Sequence, residues 1–155
     1  DNAFSSNDVY ATLANSENGS QIYESFGIAD LTGNTINGIL VKVEAKFSST
    51  ANQSELTIEL SWDGGTSWTT AKRAFQYQTA DLTMLYGGAD AWSRTFVPSE
   101  LTNTNFKVRI TNSLPPATAN DLSADLVNVQ VFYTVVTLPN KIYQVKQAVN
   151  RASTY

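Results

Sequence analysis

Two glutamates, three tryptophans and a scatter of loop aspartates are the residues of this sequence whose types could do chemistry. Glu44 and Glu59 stand at the solvent-facing parity of two alternating runs. Two carboxylates on facing strands of a cleft would equip a glycosidase, one as acid and one as nucleophile. Lys42 and Lys46 flank Glu44 on the same side, however, and that reads as an ordinary charged outer face. Trp62, Trp68 and Trp92 carry ring faces that match the apolar face of a pyranose, with Tyr23, Tyr77 and Tyr86 as less constrained substitutes. Against a sugar platform, Trp62 shares parity with Leu56, Ile58 and Leu60, and is expected to pack inward. Asp8, Asp30, Asp81, Asp90, Asp121 and Asp125 supply hard oxygen ligands of the kind Ca²⁺ takes. Their spacing is not that of an EF-hand, so a structural Ca²⁺ is not assignable to residues, any metal site stays unknown, and no other cofactor is expected.

What is missing narrows the chemistry further. The 155 residues contain no His and no Cys, which removes the commonest general base, the commonest metal ligand, every thiolate site and any disulfide framework. The chain is therefore expected not to be an enzyme. A net charge of −4, with Lys and Arg nowhere concentrated, argues against nucleic acid as a partner, because nothing gathers cations for counterion release. No apolar run approaches the roughly 18 residues of a membrane helix, so membrane insertion is not expected. The first residue is Asp rather than Met, which is read as a mature form that has lost an export signal.

The elements that must hold these residues follow a period of two. Val41, Val43, Ala45 and Phe47 alternate with Lys42, Glu44 and Lys46; Leu56, Ile58, Leu60 and Trp62 alternate with Thr57, Glu59 and Ser61. Phe106, Val108 and Ile110 do the same, and Val127, Val129, Val131, Tyr133 and Val135 form the longest row. Each is the signature of a strand with one buried and one wet face. Shorter strands are expected at 8–13, 21–27, 68–77 and 82–86, with turn chemistry at 49–54 and 114–121. Eight or so such strands in one domain-sized chain predict an all-β fold: a two-sheet antiparallel β-sandwich, jelly-roll-like, over residues 1–138, followed by an extended C-terminal tail or arm at 139–155. The stretch SWDGGTSW, Ser61 to Trp68, joins two of these strands. Its Gly-Gly pair supplies the positive φ angles of a tight turn, and Asp63 is placed to accept N–H bonds inside it.

The spacing Ser61-x-Asp63-x-Gly65-x-x-Trp68 resembles the Asp-box of sialidases and other secreted β proteins, which implies a structural turn made by these four residues. The box stands in an ordered set. It is preceded by Asn2, Asp8-x-Tyr10-Ala11 and Ile36-x-Gly38-Ile39-x-Val41-x-Val43, and followed by Gly87-Gly88-x-Asp90-x-Trp92-x-Arg94 and its Pro98-x-Glu100-Leu101 continuation. Phe106-x-Val108-Arg109-Ile110 and Val127-x-Val129-x-Val131-x-Tyr133 complete it. Together these resemble a β-sandwich module of exported bacterial and archaeal surface proteins and of phage structural proteins, over about residues 2–134. The resemblance implies the sandwich fold and an extracellular or cell-surface setting, and brings no catalytic motif. It also treats Asp90, Trp92 and Arg94 as a structural corner, where an Asp90–Arg94 ion pair is expected to lock the turn.

Two features fall outside that pattern. Phe132 lies at outward parity with Asn128, Gln130 and Thr134, so its ring either fills a sheet edge or meets a partner. The tail at 139–155 begins at Pro139 and continues through Ile142, Tyr143, Val145 and Val149, legible as helix or as strand. It is expected to leave the sandwich and complete a neighbour's sheet, with Phe132, Ile142, Tyr143, Val145 and Val149 at the subunit interface. The expected function is thus a non-enzymatic structural subunit of an extracellular assembly: a filament or surface fibre of copies of itself, joined by exchange of terminal strands. The alternative is a carbohydrate-binding or adhesive module on a cell surface or phage particle, with a glycan as partner.

Overall fold

The computed structural model describes residues 3, 5–14, 19–50, 54–76, 78–90, 92–113, 120–136 and 145–151. Among these, nine strands pair into two antiparallel sheets that stack as a β-sandwich, and helical structure amounts to one short 3₁₀ turn, Pro98–Glu100. The first sheet contains β1 (Ala11–Leu13), β8 (Leu122–Thr134), β3 (Thr35–Phe47) and β6 (Leu82–Gly87) in that order, with β9 (Val145–Arg151) also on β8. The second runs β2 (Ser20–Tyr23), β7 (Lys107–Ser113), β4 (Ser54–Ser61) and β5 (Lys72–Gln76).

The rows recognised in the sequence are the two inner faces. Ile39, Val41, Val43, Ala45, Phe47, Val127, Val129 and Val131 from the first sheet are buried against Leu56, Ile58, Leu60, Val108 and Ile110 from the second. Burying a side chain of this size contributes roughly 1.5–3 kcal/mol, so a wrong register on any of these strands would be strongly disfavoured. Tyr23 and Tyr86 also lie in this core. Burial raises both phenol pKa values above the ordinary tyrosine range.

Two bulges interrupt the long β3–β8 pairing, and each re-aims a polar side chain. Pairing jumps from Glu44↔Leu126 to Ala45↔Ala124, leaving Asp125 as the extra residue. The bulge switches the inward parity of β8 from the even positions Leu122 and Ala124 to the odd ones 127, 129 and 131. Asp125 is left buried, and its Oδ2 accepts the backbone N–H groups of Asn7 and Asp8 at 2.9 and 3.1 Å. The second jump, at Ile36/Gly38, leaves Asn37 unpaired on β3, where its amide donates to the Thr134 hydroxyl at 2.9 Å. A Cβ at Gly38 would lie 2.0 Å from the Gly88 carbonyl oxygen, so glycine alone fits there.

Ala3, β1 and β9 all meet one edge of β8. β1 covers Leu122–Ala124, the carbonyl of Ala3 accepts the Val127 N–H at 3.1 Å, and β9 pairs antiparallel with Asn128–Thr134. Ala3 itself is 1% exposed. The C-terminal segment, expected to depart from the body, has strand character over Val145–Arg151 and lies in the chain's own first sheet. Physically, β8 outruns β1 at its far end, and its unpaired N–H and C=O groups there are satisfied by the nearest strand-forming segment.

Candidate functional site

Ser61, Asp63, Gly65 and Trp68 converge at the end of β4. The fully buried Ser61 hydroxyl donates to Asp63 Oδ1 at 3.0 Å and accepts the Gly65 N–H at 2.8 Å. Asp63 Oδ1 accepts the Ser67 N–H at 2.8 Å, and the Trp68 indole N–H donates to the Gly65 carbonyl at 3.1 Å. The Ser67 backbone bond, ahead of the hydroxyl bonds, holds the Asp63 carboxyl below its ordinary pKa. Gly64 and Gly65 have φ of 76° and 98°. Donors and acceptors here are consumed inside the turn, so it offers a ligand little.

The Asp90–Trp92–Arg94 corner is assembled differently from the expectation. Asp90 pairs with Lys72 on β5, which lowers the Asp90 pKa ahead of the Trp92 N–H bond to Asp90 Oδ1, 2.7 Å long. Arg94 instead donates to Glu100 at 2.7 Å, and its guanidinium lies over the Trp62 ring, 3.7 Å from the centroid, and over that of Phe96, 4.6 Å away. Contact with two aromatic rings suits a planar guanidinium better than exposure beside Asp90 would. Trp92 is a plug: it is 2% exposed, sits at φ 52°, and its indole N–H donates to the Ile39 carbonyl at 2.8 Å.

The two glutamates do not make a catalytic pair. Glu44 projects from β3 on the outer face of the first sheet, and Glu59 from β4 on the outer face of the second, so the hydrophobic core lies between them. Glu59 is engaged by Arg109, whose Nε and Nη2 both lie 2.7 Å from one of its carboxylate oxygens. Of the loop aspartates, Asp8 and Asp81 both reach the Tyr10 hydroxyl, at 2.9 and 2.5 Å, and its single proton is shared between them with Asp81 the nearer acceptor; the Asp81 bond first, then burial, raises the Tyr10 pKa. Among the described residues no three Asp, Glu, His or Cys side chains gather to hold a metal ion. Tyr23 and Tyr86 are buried in the core and so make no sugar platform, while Tyr77 lies outside the described residues.

Two surfaces remain as candidate sites. One is the β8 edge: Val145 pairs opposite Thr134, Gln147 opposite Phe132 and Val149 opposite Gln130. Phe132 is half-buried and has Gly38 on its other side; Ile142 and Tyr143 fall outside the described residues. The other is the outer face of the second sheet, which holds an open groove of about 320 Å³ lined by Ser20, Thr57, Glu59, Arg73, Arg109 and Thr111, among others. Sequence reasoning missed this groove. Its short hydroxyl side chains sit at outward parity on three separate strands, and only the pairing of those strands brings them into line.

The chain matches no protein-family model and no curated protein. Among solved structures, it is similar to one described as family 16 carbohydrate binding module-2, with a TM-score of 0.46 and 11% identity over 81% of this chain and 79% of that one. It is also similar to a chain of the infectious bursal disease virus Gx strain structure, with a TM-score of 0.26 and 16% identity over 92% of this chain; that alignment spans 38% of the viral chain.

Proposed function

We propose that this protein is a non-enzymatic structural subunit that joins copies of itself by exchanging its C-terminal strand, β9, at the β8 edge. The carrying observation is the placement of β9: among the described residues it is an edge strand that pairs with β8 alone, in register over Asn128–Thr134. Residues 135–144 connect the two strands, a longer span than the roughly two to five residues of an ordinary hairpin loop. A strand from a neighbouring copy would make the same ladder bonds as the chain's own. The balance between the closed and exchanged forms is then set by the connection and by protein concentration rather than by strand chemistry. Donation in one direction and receipt in the other gives a heterologous contact that grows into a fibre; reciprocal exchange gives a closed dimer. The N-terminal segment does not enter this reading, because Ala3, Asn7 and Asp8 are held by β8 of their own chain.

Light scattering coupled to size exclusion, with electron microscopy, tests it on the full chain and on a chain ending at Leu138. Concentration-dependent oligomers are expected from the full chain, only monomers from the truncated one, and capture of an added 145–151 peptide by the truncated chain. Equal monomers at high concentration for both chains would refute it.

A further inference from the structure

The outer face of the second sheet has a relief that follows from its register. Ser20 on β2 lies opposite Thr111 on β7, Thr111 opposite Thr57 on β4, and Thr57 opposite Arg73 on β5. The middle of this row is therefore built of short hydroxyl side chains that cross the sheet at right angles to the strands. The neighbouring row on one side carries Arg109 and Glu59; the row on the other carries Ser113 and Glu55. Long side chains beside short ones make a trough, and this is the groove described above. Its hydroxyl floor spans three strands, roughly 10 Å at about 4.8 Å spacing, and Arg73 on β5 closes one end.

Its walls carry charge of both signs in matched pairs. Arg109 is bonded to Glu59, and Arg73 to Glu55 at 2.9 Å. Arg109 is further fixed by stacking on the Trp68 ring, 4.1 Å from its centroid. An anionic or cationic ligand would have to break a formed pair to gain one. A neutral ligand rich in hydroxyls would not: carboxylate oxygens accept its O–H groups, guanidinium N–H groups donate to its oxygens, and the threonine and serine hydroxyls do either. The geometry points to this trough as a binding site for a neutral oligosaccharide lying across the strands. The site is independent of strand exchange, since it lies on the other sheet from β8 and β9. Among the described side chains no aromatic ring faces up from its floor, so binding there rests on hydrogen bonds that compete with water, and the affinity is weak, on the order of millimolar.

The test is a titration of the full chain with cellotetraose, xylotetraose and mannotetraose, followed by amide chemical shifts, with a tetragalacturonate and a neutral tetrapeptide as controls. At least one neutral sugar is expected to move amides of β2, β4, β5 and β7 while leaving β3 and β8 still. Thr111→Val keeps the branched shape, and Ser20→Ala removes a second hydroxyl from an exposed position. Each is expected to weaken that sugar at least about fivefold with an unchanged melting temperature. Silence towards all three sugars, stronger binding of the acidic oligomer or the peptide, or shifts that ignore both substitutions would overturn the assignment.

Discussion

The Trp92 corner and the β9 edge hold the same sandwich together in opposite ways. At the corner one side chain is over-determined: Trp92 is buried, its backbone N–H is taken by Asp90 and its indole N–H by Ile39, and the approach beside it is open only because residue 87 is glycine. A left-handed backbone at a bulky residue costs about 1–2 kcal/mol and persists only where the surroundings impose it. At the edge, β9 is held by the ladder to a single strand. A fold can thus be rigid where it closes its core and exchangeable where it ends, and the two regions answer to different experiments.

The largest effect is expected at the corner. Trp92→Ala removes a buried indole and a hydrogen bond to β3, and should lower the unfolding free energy by about 3–5 kcal/mol, read by denaturant titration. A loss below about 1 kcal/mol would mean that the plug is ornamental. Gly87→Ala attacks the same place from the backbone. At φ 88° the new Cβ would lie 2.2 Å from the Ile39 carbonyl oxygen and 2.5 Å from the Trp92 indole nitrogen. Strain and overpacking together should cost about 2–4 kcal/mol. The double variant should lose less than the sum, because with the indole gone part of the collision disappears.

The Asp63 turn lies between the two regions in strength. Ser61→Ala leaves the Gly65 N–H without its acceptor and takes one of two donors from Asp63 Oδ1, which keeps the Ser67 N–H, and should cost about 1–2 kcal/mol. Because the folded Asp63 pKa is lowered, its contribution is complete above the ordinary carboxylate range near pH ~4 and is lost as the pH falls through the depressed value. The same sign holds for Asp90, whose pKa Lys72 lowers. Asp63→Asn should therefore flatten the acid limb of a stability–pH curve, while the alkaline limb, where neutral Tyr23 and Tyr86 are favoured in the fold and their advantage is lost as pH rises beyond ~10, stays in place. An acid limb identical to that of the parent protein would show that the turn's hydrogen bonds do not depend on the charge.

The sandwich was legible because burial on one face writes itself into every second residue; the rows at 41–47, 56–60 and 127–131 became the inner faces of the two sheets. What one-dimensional spacing could not carry was partnership across strands. Asp90 and Arg94 are four apart and of opposite charge, yet each pairs elsewhere, with Lys72 and Glu100. Glu44 and Glu59 share a parity but belong to different sheets, so outward means opposite directions for them. The Asp125 bulge was invisible for the same reason: an extra residue is extra only relative to the strand beside it. The trough on the second sheet needs three strands in register before its hydroxyls align.

The smallest free energy in the molecule is expected at β9, and it decides whether the edge differs from the corner in kind. Local opening spans from near zero up to the full unfolding free energy, and elements bonded on one side lie at the low end. Hydrogen exchange should show the amides of Val145–Arg151 exchanging through a local opening, well before those of Ile39–Val43, whose strand lies between β6 and β8 and exchanges only when the sandwich unfolds. The amides of β8 at 128–134 that face β9 should open with it, while those facing β3 stay closed. Raising the protein concentration should slow the opening of β9 if the strand is recaptured by a neighbour, and leave it unchanged if it returns only to its own chain. Equal protection in β9 and β3 would mean that the edge is as fixed as the corner, and strand exchange would then have no low-energy route.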